Sequence, residues 1–590
     1  MKNRFFRQSC LVLVIICAVG WLFHFQSFAV DKTLRYRPLA NGWVSYQAGI
    51  FLQKQGNIFD KMRQSILDDL NHGRFRPAFT LYSILPYAIS PLVHGRSMSK
   101  EGRPYEKLAT GDLRLFSFIL LGSVAATLIL ISLLIHSYTG ESIFSLIPVL
   151  FIPLSPALTE NLLQNYIDSQ EIPLLLWLCI WIFLFFTALR KDKSLFRTLC
   201  FATSFLFLLL SFLAKETSVI LSIAIPASAV AAWLFSGKKE NWGIPFLVCS
   251  LLAICCSVTV YLIVASHTKG YAASYSALQP AEILDALERL WTGLKKYSLV
   301  DSIYGWFPFA LFFTLAFVSR KKTLNGIPVS KHVALLTLFL LLTCGFLLIL
   351  VPWRPILIKY ILPSIFFYLF AVGMSLSFTA AWLKERYRIG GYLFYCAVLF
   401  YVIPFKNYYP SACWERDYWA DQANYGVAAA DQLADSIDRA LKSKAKDSEA
   451  VFVEYETVSD WANFTPWGKL HLMRILNLDK RFNIVKADGK EILNYQMPKA
   501  ELTSFRHYDK SRYLYLSNTQ KELAIKRFDV AYKGSATQKK PAAEFAVQET
   551  RICYKMTGEK IDWQGRSKAF PAFSLYQYLP VECATEKTAD

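Results

Sequence analysis

A chain of 590 residues that is 54% hydrophobic, with a mean hydropathy of +0.30, carries more apolar surface than a soluble fold of that size needs to bury, so most of it must face lipid. Its formal charge of +20 does not imply a nucleic-acid partner, because the basic clusters sit at the ends of apolar blocks without aromatic and basic residues alternating beside them. The twelve cysteines fall mostly inside those blocks, as Cys255 and Cys256 do, where they behave as small hydrophobes, and no zinc-like CxxC pair is present.

The chain opens with three positive charges between Met1 and Arg7, followed by the apolar run Leu11 to Phe25. This reads as an uncleaved signal-anchor; Ser27, Phe28 and Ala29 loosely resemble a cleavage site, and either choice leaves Asp31 outside. Further apolar blocks fall near Phe116 to Ile135, Ile143 to Leu158, Ile172 to Leu189, Leu199 to Ala214, Val219 to Phe235 and Ile244 to Ala265. Others fall near Ile303 to Val318, Val333 to Val351, Ile356 to Trp382 and Gly391 to Phe405, which with the first helix makes about eleven spans. Basic loops follow at Arg190, Lys191, Lys193 and Arg197, at Lys238 and Lys239, at Arg320 to Lys322 with Lys331, and at Lys384, Arg386 and Arg388. The positive-inside rule puts these loops in the cytoplasm. An odd number of spans starting inside ends outside, so the tail from Lys406 to Asp590 is expected to be periplasmic.

Two external loops are too long to be simple turns. The first, Asp31 to Asp112, contains a helical-looking stretch around Gly49 to Leu70 and a short apolar run, Ala78 to Val93, read as a re-entrant or surface helix. The second carries Ile283, Leu284, Leu287, Leu290, Trp291 and Leu294 at helical spacing, a stripe suited to lying on the membrane surface. Beyond Pro410 the pattern changes to helix (Val427 to Leu441), strand (Ala450 to Tyr455), helix (Lys469 to Leu476) and strand (Phe482 to Val485), with a further strand at Tyr513 to Leu516. The expected fold is therefore a polytopic α-helical membrane domain over residues 1–405 and an extracytoplasmic α/β or α+β domain over 406–590. Cys553 and Cys583 are free to pair if that domain is outside.

The residues out of place in such a chain are polar ones at the outer ends of helices. Asp31 follows the first helix, and Arg74, Phe75, Arg76 and Pro77 precede the short apolar run, with Asp68 and Asp69 just before them. Glu160, Asp168 and Glu171 follow Pro156; Lys215 and Glu216 interrupt an apolar hairpin; Arg354, Lys359 and Tyr360 open a late span. An ionisable pair at a membrane edge is a functional candidate by default. There is no P-loop, GxGxxG, HExxH or GxSxG, so nucleotide-driven transport, dinucleotide redox chemistry and common hydrolases lack a motif.

In the order of these features the membrane region resembles the GT-C superfamily of polytopic glycosyltransferases. The resemblance rests on a first helix, then a long external loop with an acid near its start and the segment Arg74 to Pro77. It continues with a helix ending Leu154, Ser155, Pro156 before an acidic loop, a Lys215-Glu216 pair in a tight hairpin, and the element Lys359, Tyr360, Ile361, Leu362, Pro363. The resemblance implies an inverting transferase that moves a sugar from a polyprenyl-phosphate donor to a glycan, lipid or protein acceptor on the outer face of a bacterial inner membrane. It also implies a first-loop acid that acts as base or positions a divalent cation. Carried onto this chain, the acidic role falls to Asp31, with Asp69, Asp168 and Glu171 as further candidates, although Asp31 is followed by Lys32 where some members have a second acid. The donor phosphate needs cations, for which Arg74, Arg76, Lys215, Arg354 and Lys359, with Tyr360, are the candidates. Protein N-glycosylation is not expected, since no WWDYG-like motif is present. A carrier for a lipid-linked or anionic substrate and a non-catalytic scaffold are the competing readings; a carrier predicts internal repeats and broken helices in both halves, which the sequence lacks.

Overall fold

The computed structural model describes residues 13, 16, 17, 20, 58–71, 75–82, 110–163, 170–190, 195–236, 243–267, 283–285, 287, 288, 290, 305–320, 322–351 and 358–402, and in the tail 450–453, 482–485, 530–535, 543–547, 552–563 and 573–582. They divide into two compact units, one containing every described helix and the other the tail strands.

In the helical unit, α1 spans Ile58–Asn71, α2 Thr110–Thr139, α3 Phe144–Leu154, α4 Pro156–Leu163, α5 Glu171–Arg190 and α6 Leu195–Ala214. After these come α7 Glu216–Ser236, α8 Gly243–His267 and α9 Phe307–Val318, then the two short strands β1 Thr323–Leu324 and β2 Ile327–Pro328. The unit closes with α10 Val329–Leu348, α11 Leu362–Arg386 and α12 Arg388–Val402. Seven helices, α2, α5, α6, α7, α8, α10 and α11, are long and apolar enough among the described residues to cross a membrane. This is a multi-pass membrane protein. Three further expected spans are shorter helices here. The stretch after Ile143 is broken by Pro148 and Pro153 into alternating tight and regular turns, whereas α9 and α12 have 12 and 15 residues. The first apolar run lies almost wholly outside the described residues.

The helices differ in what surrounds them. Helix α11 is almost wholly buried, packed by α9, α10 and α12, and forms the axis of the bundle. Gly373 lets α3 approach α11 closely, because a Cβ there would stand 3.1 Å from the carbonyl oxygen of Phe144 and 3.3 Å from Pro148 Cδ. Helices α6, α7 and α8 instead turn Leu206, Ile223, Leu234, Ile244, Leu251 and Leu262 outward. A continuous apolar surface of this kind is stable only in lipid.

At the end of α5 marked by Arg190, β1 and β2 form a hairpin whose Asn325 and Gly326 take φ of 51° and 71°, the left-handed pair that a two-residue hairpin turn requires. The hairpin closes the basic end of the bundle. His332, fully buried, lies between the carbonyl oxygens of Pro328 and Tyr138, its Nδ1 and Nε2 3.0 and 3.1 Å from them, and donates to one of the two, while Lys331 Nζ donates to the Leu189 carbonyl in the last turn of α5 at 2.6 Å. Cations at helix C-termini satisfy carbonyls that the helix leaves unpaired. Lys331 was expected as a loop cation and is instead inside α10.

The tail unit is a six-stranded mixed sheet, in the order β4-β3-β5-β8-β7-β6, built from β3 Ala450–Val453, β4 Phe482–Val485, β5 Val530–Ser535, β6 Glu544–Val547, β7 Ile552–Trp563 and β8 Phe573–Glu582. Strands β4, β3 and β5 run parallel, Ala450 lying opposite both Phe482 and Val530, and the remaining pairs are antiparallel. Parallel neighbours need crossover connections, for which residues 454–481 and 486–529 provide ample length. The expected helices Val427 to Leu441 and Lys469 to Leu476 and the strand Tyr513 to Leu516 lie outside the described residues. Cys553, on β7, is in a disulfide; Cys583 is also outside them.

Candidate functional site

The site is at the end of the bundle opposite the basic hairpin, where α5 begins and α6 passes into α7. From Glu171 to the Leu189 carbonyl, α5 spans about 27 Å at 1.5 Å per residue, close to the thickness of a hydrocarbon core. Helix α6 stops at Ala214, and Lys215 takes extended φ and ψ of −159° and 140° before a tight turn over Glu216–Ile220. The turn is fixed from within: the Ser218 N–H donates to the Lys215 carbonyl at 3.1 Å, and the Ser218 hydroxyl donates to the Ser211 carbonyl at 2.7 Å, one of the four that α6 leaves unpaired. From α10, Gly345 receives Ile220 so closely that any Cβ would collide with it.

An extended residue sends its side chain to the side opposite its successor's, and Lys215 and Glu216 accordingly part company. Lys215 Nζ pairs with Glu171 Oε1 at the first turn of α5 and lies 5.0 Å from the ring centroid of Tyr360. Glu216 reaches the segment 75–82 instead. Arg76 Nε donates to Glu216 Oε1 and Oε2 at 2.9 and 2.8 Å, and the Phe75 N–H donates to Oε1 at 3.1 Å. The Arg76 segment continues as a short helix over 77–82, anchored where Tyr82 Oη meets Ser123 Oγ of α2 at 2.9 Å and where Thr80 Oγ1 donates to Asp69 Oδ2 of α1 at 3.4 Å.

Four ionisable side chains from three separate parts of the sequence thus form two crossed pairs. The Lys215 and Glu171 side chains are 7% and 0% exposed, and those of Arg76 and Glu216 are 11% and 29% exposed. Burial pushes the Lys215 pKa below the usual lysine value; the Glu171 carboxylate opposes that shift and the Arg76 guanidinium adds to it. Glu171 Oε2 is buried and has no hydrogen-bond partner among the described residues.

Of the residues expected to carry chemistry, Glu171, Arg76, Lys215 and Tyr360 are brought together. Asp69 is held on α1 next to Thr80. Asp31, Arg74, Asp168, Arg354 and the side chain of Lys359 lie outside the described residues. Lys215 and Glu216, adjacent in the sequence, do not pair with each other: Lys215 is partnered by Glu171, and Glu216 holds Arg76. Glu216 had no expected role of its own, though a second charge in so apolar a hairpin was the available signal. Among the described residues no three His, Cys, Asp or Glu side chains come together in a way that could hold a metal ion.

A multi-pass membrane bundle with a buried, charge-paired cluster at one end of its spans is the class that fold and site define. No family model matches this chain, and no curated protein does.

Proposed function

We propose that this chain is an integral membrane glycosyltransferase that moves a sugar from a polyprenyl-phosphate donor to a glycan, lipid or protein acceptor at the outer face of a bacterial inner membrane. The observation that carries the reading is the cluster itself: four ionisable groups, Lys215 and Glu171 buried and Arg76 and Glu216 part-buried, where spans meet, linking the first external loop to α5 and to the α6–α7 turn. Charges kept in such a place are costly, and function is the usual reason for keeping them. The order of elements around the cluster is the order on which the GT-C resemblance rests.

The orientation follows from the same features. Arg190, Lys331, Lys384 and Arg386 gather at the opposite end of the bundle, which the positive-inside rule makes cytoplasmic, so the cluster faces outward. The disulfide at Cys553 suits an oxidising compartment and supports an external tail after about eleven spans. In this reading a first-loop acid, Asp31 or Asp69, receives the acceptor proton, a role in which a positioned base contributes about a hundredfold to ten-thousandfold in rate. The cations of the late span opening, Arg354 and Lys359, together with Arg74, stabilise the departing phosphate.

The test is transfer from radiolabelled polyprenyl-phosphate pentoses and hexoses by the full chain in liposomes, with membrane extract as acceptor. Label appearing in a new glycoconjugate is the expected result. Label that crosses the bilayer without changing its chemical form would overturn the transferase reading in favour of a carrier.

A further inference from the structure

The charge balance of the cluster decides which part of a donor it can hold. Lys215 faces Glu171, and Arg76 faces Glu216, so two cations meet two carboxylates. Whichever atom of the Glu171–Lys215 pair holds the proton, the pair is neutral. A phosphate brought to Lys215 would meet Glu171 at contact range, and the repulsion would offset what the ammonium supplies. An amine would meet the same obstacle from Lys215. The group that fits carries no charge and offers a donor and an acceptor on neighbouring atoms, and the smallest such group is a hydroxyl.

We infer that the Glu171–Lys215 pair is a sugar-hydroxyl site, in which Glu171 Oε2 accepts from the hydroxyl and Lys215 Nζ donates to its oxygen. The independent sign is Glu171 Oε2 itself, on a side chain with no exposure and with no hydrogen-bond partner among the described residues. A carboxylate oxygen left in that condition is expensive. Lys215 has one N–H on Glu171, which leaves others to donate, and lies by the ring face of Tyr360, a side chain only part-buried. That the hydroxyl belongs to the sugar of a lipid-linked donor rests on the transferase reading; the preference for an uncharged polar group does not. The assignment moves Lys215 and Glu171 from phosphate binding and catalysis to sugar recognition.

The experiment is equilibrium dialysis of the detergent-purified full chain against radiolabelled farnesyl phosphate and against farnesyl-phosphoryl pentoses and hexoses. It compares the parent with Glu171→Gln and with the charge-neutral double variant Glu171→Gln/Lys215→Met, each checked for the parental circular dichroism; if the single variant does not fold, the double variant decides. The double variant is expected to weaken the best sugar-bearing ligand about tenfold to a hundredfold, the worth of a hydrogen bond to a charged group, while bare farnesyl phosphate changes less than about twofold. Equal weakening of both ligands would overturn the inference by assigning the pair to the phosphate. Unchanged binding of the sugar ligand would also overturn it, leaving Glu171 Oε2 to an ordered water only. If the parent binds neither lipid, the donor reading fails and the same dialysis with methyl glycosides decides the site: binding that the double variant loses upholds it, and no binding ends it.

Discussion

Replacing Glu171 with glutamine removes one partner of the most buried ion pair in the described bundle and leaves Lys215 facing an amide. With the side chains 7% and 0% exposed, solvent screening gives no reason to discount the effect. Two responses are open to the lysine. It keeps its charge, and breaking a buried pair by removing one partner costs about 3–5 kcal/mol. Alternatively it gives up its proton, which for an ordinary lysine at pH 7 costs about 4.6 kcal/mol. The cheaper response sets the loss; Arg76 opposes a stranded lysine charge more than the adjacent Glu216 relieves it, so about 3–5 kcal/mol is expected at neutral pH. The pH dependence separates the two routes. A lysine neutral in the folded chain and charged in the unfolded one binds fewer protons when folded, so stability rises with pH, and the deprotonation cost falls by about 2.7 kcal/mol between pH 7 and pH 9. The double variant Glu171→Gln/Lys215→Met strands no charge and should lie within about 1 kcal/mol of the parent. The assay is equilibrium unfolding in mixed micelles of increasing SDS fraction, followed by tryptophan fluorescence at both pH values. A single variant that costs less than about 1 kcal/mol at pH 7, or a double variant no better than the single one, would refute the reasoning.

Alkaline phosphatase fused after Phe405 should be active and a cytoplasmic reporter at the same place silent; the opposite pair of results refutes an external tail. His332→Leu should cost about 1–3 kcal/mol, because the single N–H of a neutral imidazole serves one of the two carbonyls it approaches, Pro328 or Tyr138, and that carbonyl loses its donor; unchanged SDS unfolding would show that the contact contributes nothing. Asp31→Asn should lower sugar transfer by about a hundredfold to ten-thousandfold at matched thermal stability, and near-parental turnover in a single-turnover assay would pass the role of base to Asp69.

What could be read from the sequence was whatever depends on local composition. Apolar blocks gave the spans: Ile172 was expected to open the one that begins at Glu171, Ala214 was expected to end α6 and does so, and the strand Phe482 to Val485 is β4. The stripe from Ile283 is helical where described, with Leu284 outward and Leu290 buried. The β1–β2 hairpin is carried by Asn325-Gly326 between Leu324 and Ile327, a strong turn signal that hydropathy and charge placement do not register. The span expected from Ile143 to Leu158 is broken because hydropathy does not register where Pro148 and Pro153 interrupt a helix, and the start of the one expected from Ile303 lies outside the described residues.

The partner of Lys215 was not legible for a different reason. Glu216 is adjacent in sequence, whereas Glu171 is separated by 44 positions and becomes a neighbour only because α5 and α6 pack side by side as an antiparallel pair. Adjacent side chains on an extended residue and its successor diverge, so the nearest charge in sequence was the one charge Lys215 could not easily meet. The same divergence gives the cluster its form. One backbone link sends a cation to α5 and an anion to Arg76, and in this way ties the segment 75–82 to the start of α7. A displacement of that loop must break the Arg76–Glu216 pair or drag residue 216 with it, and residue 215 with residue 216. The loop expected to bear the catalytic acid and the pair proposed to hold the sugar are therefore joined through a single peptide link, which is the shortest mechanical route by which the position of one can set the position of the other.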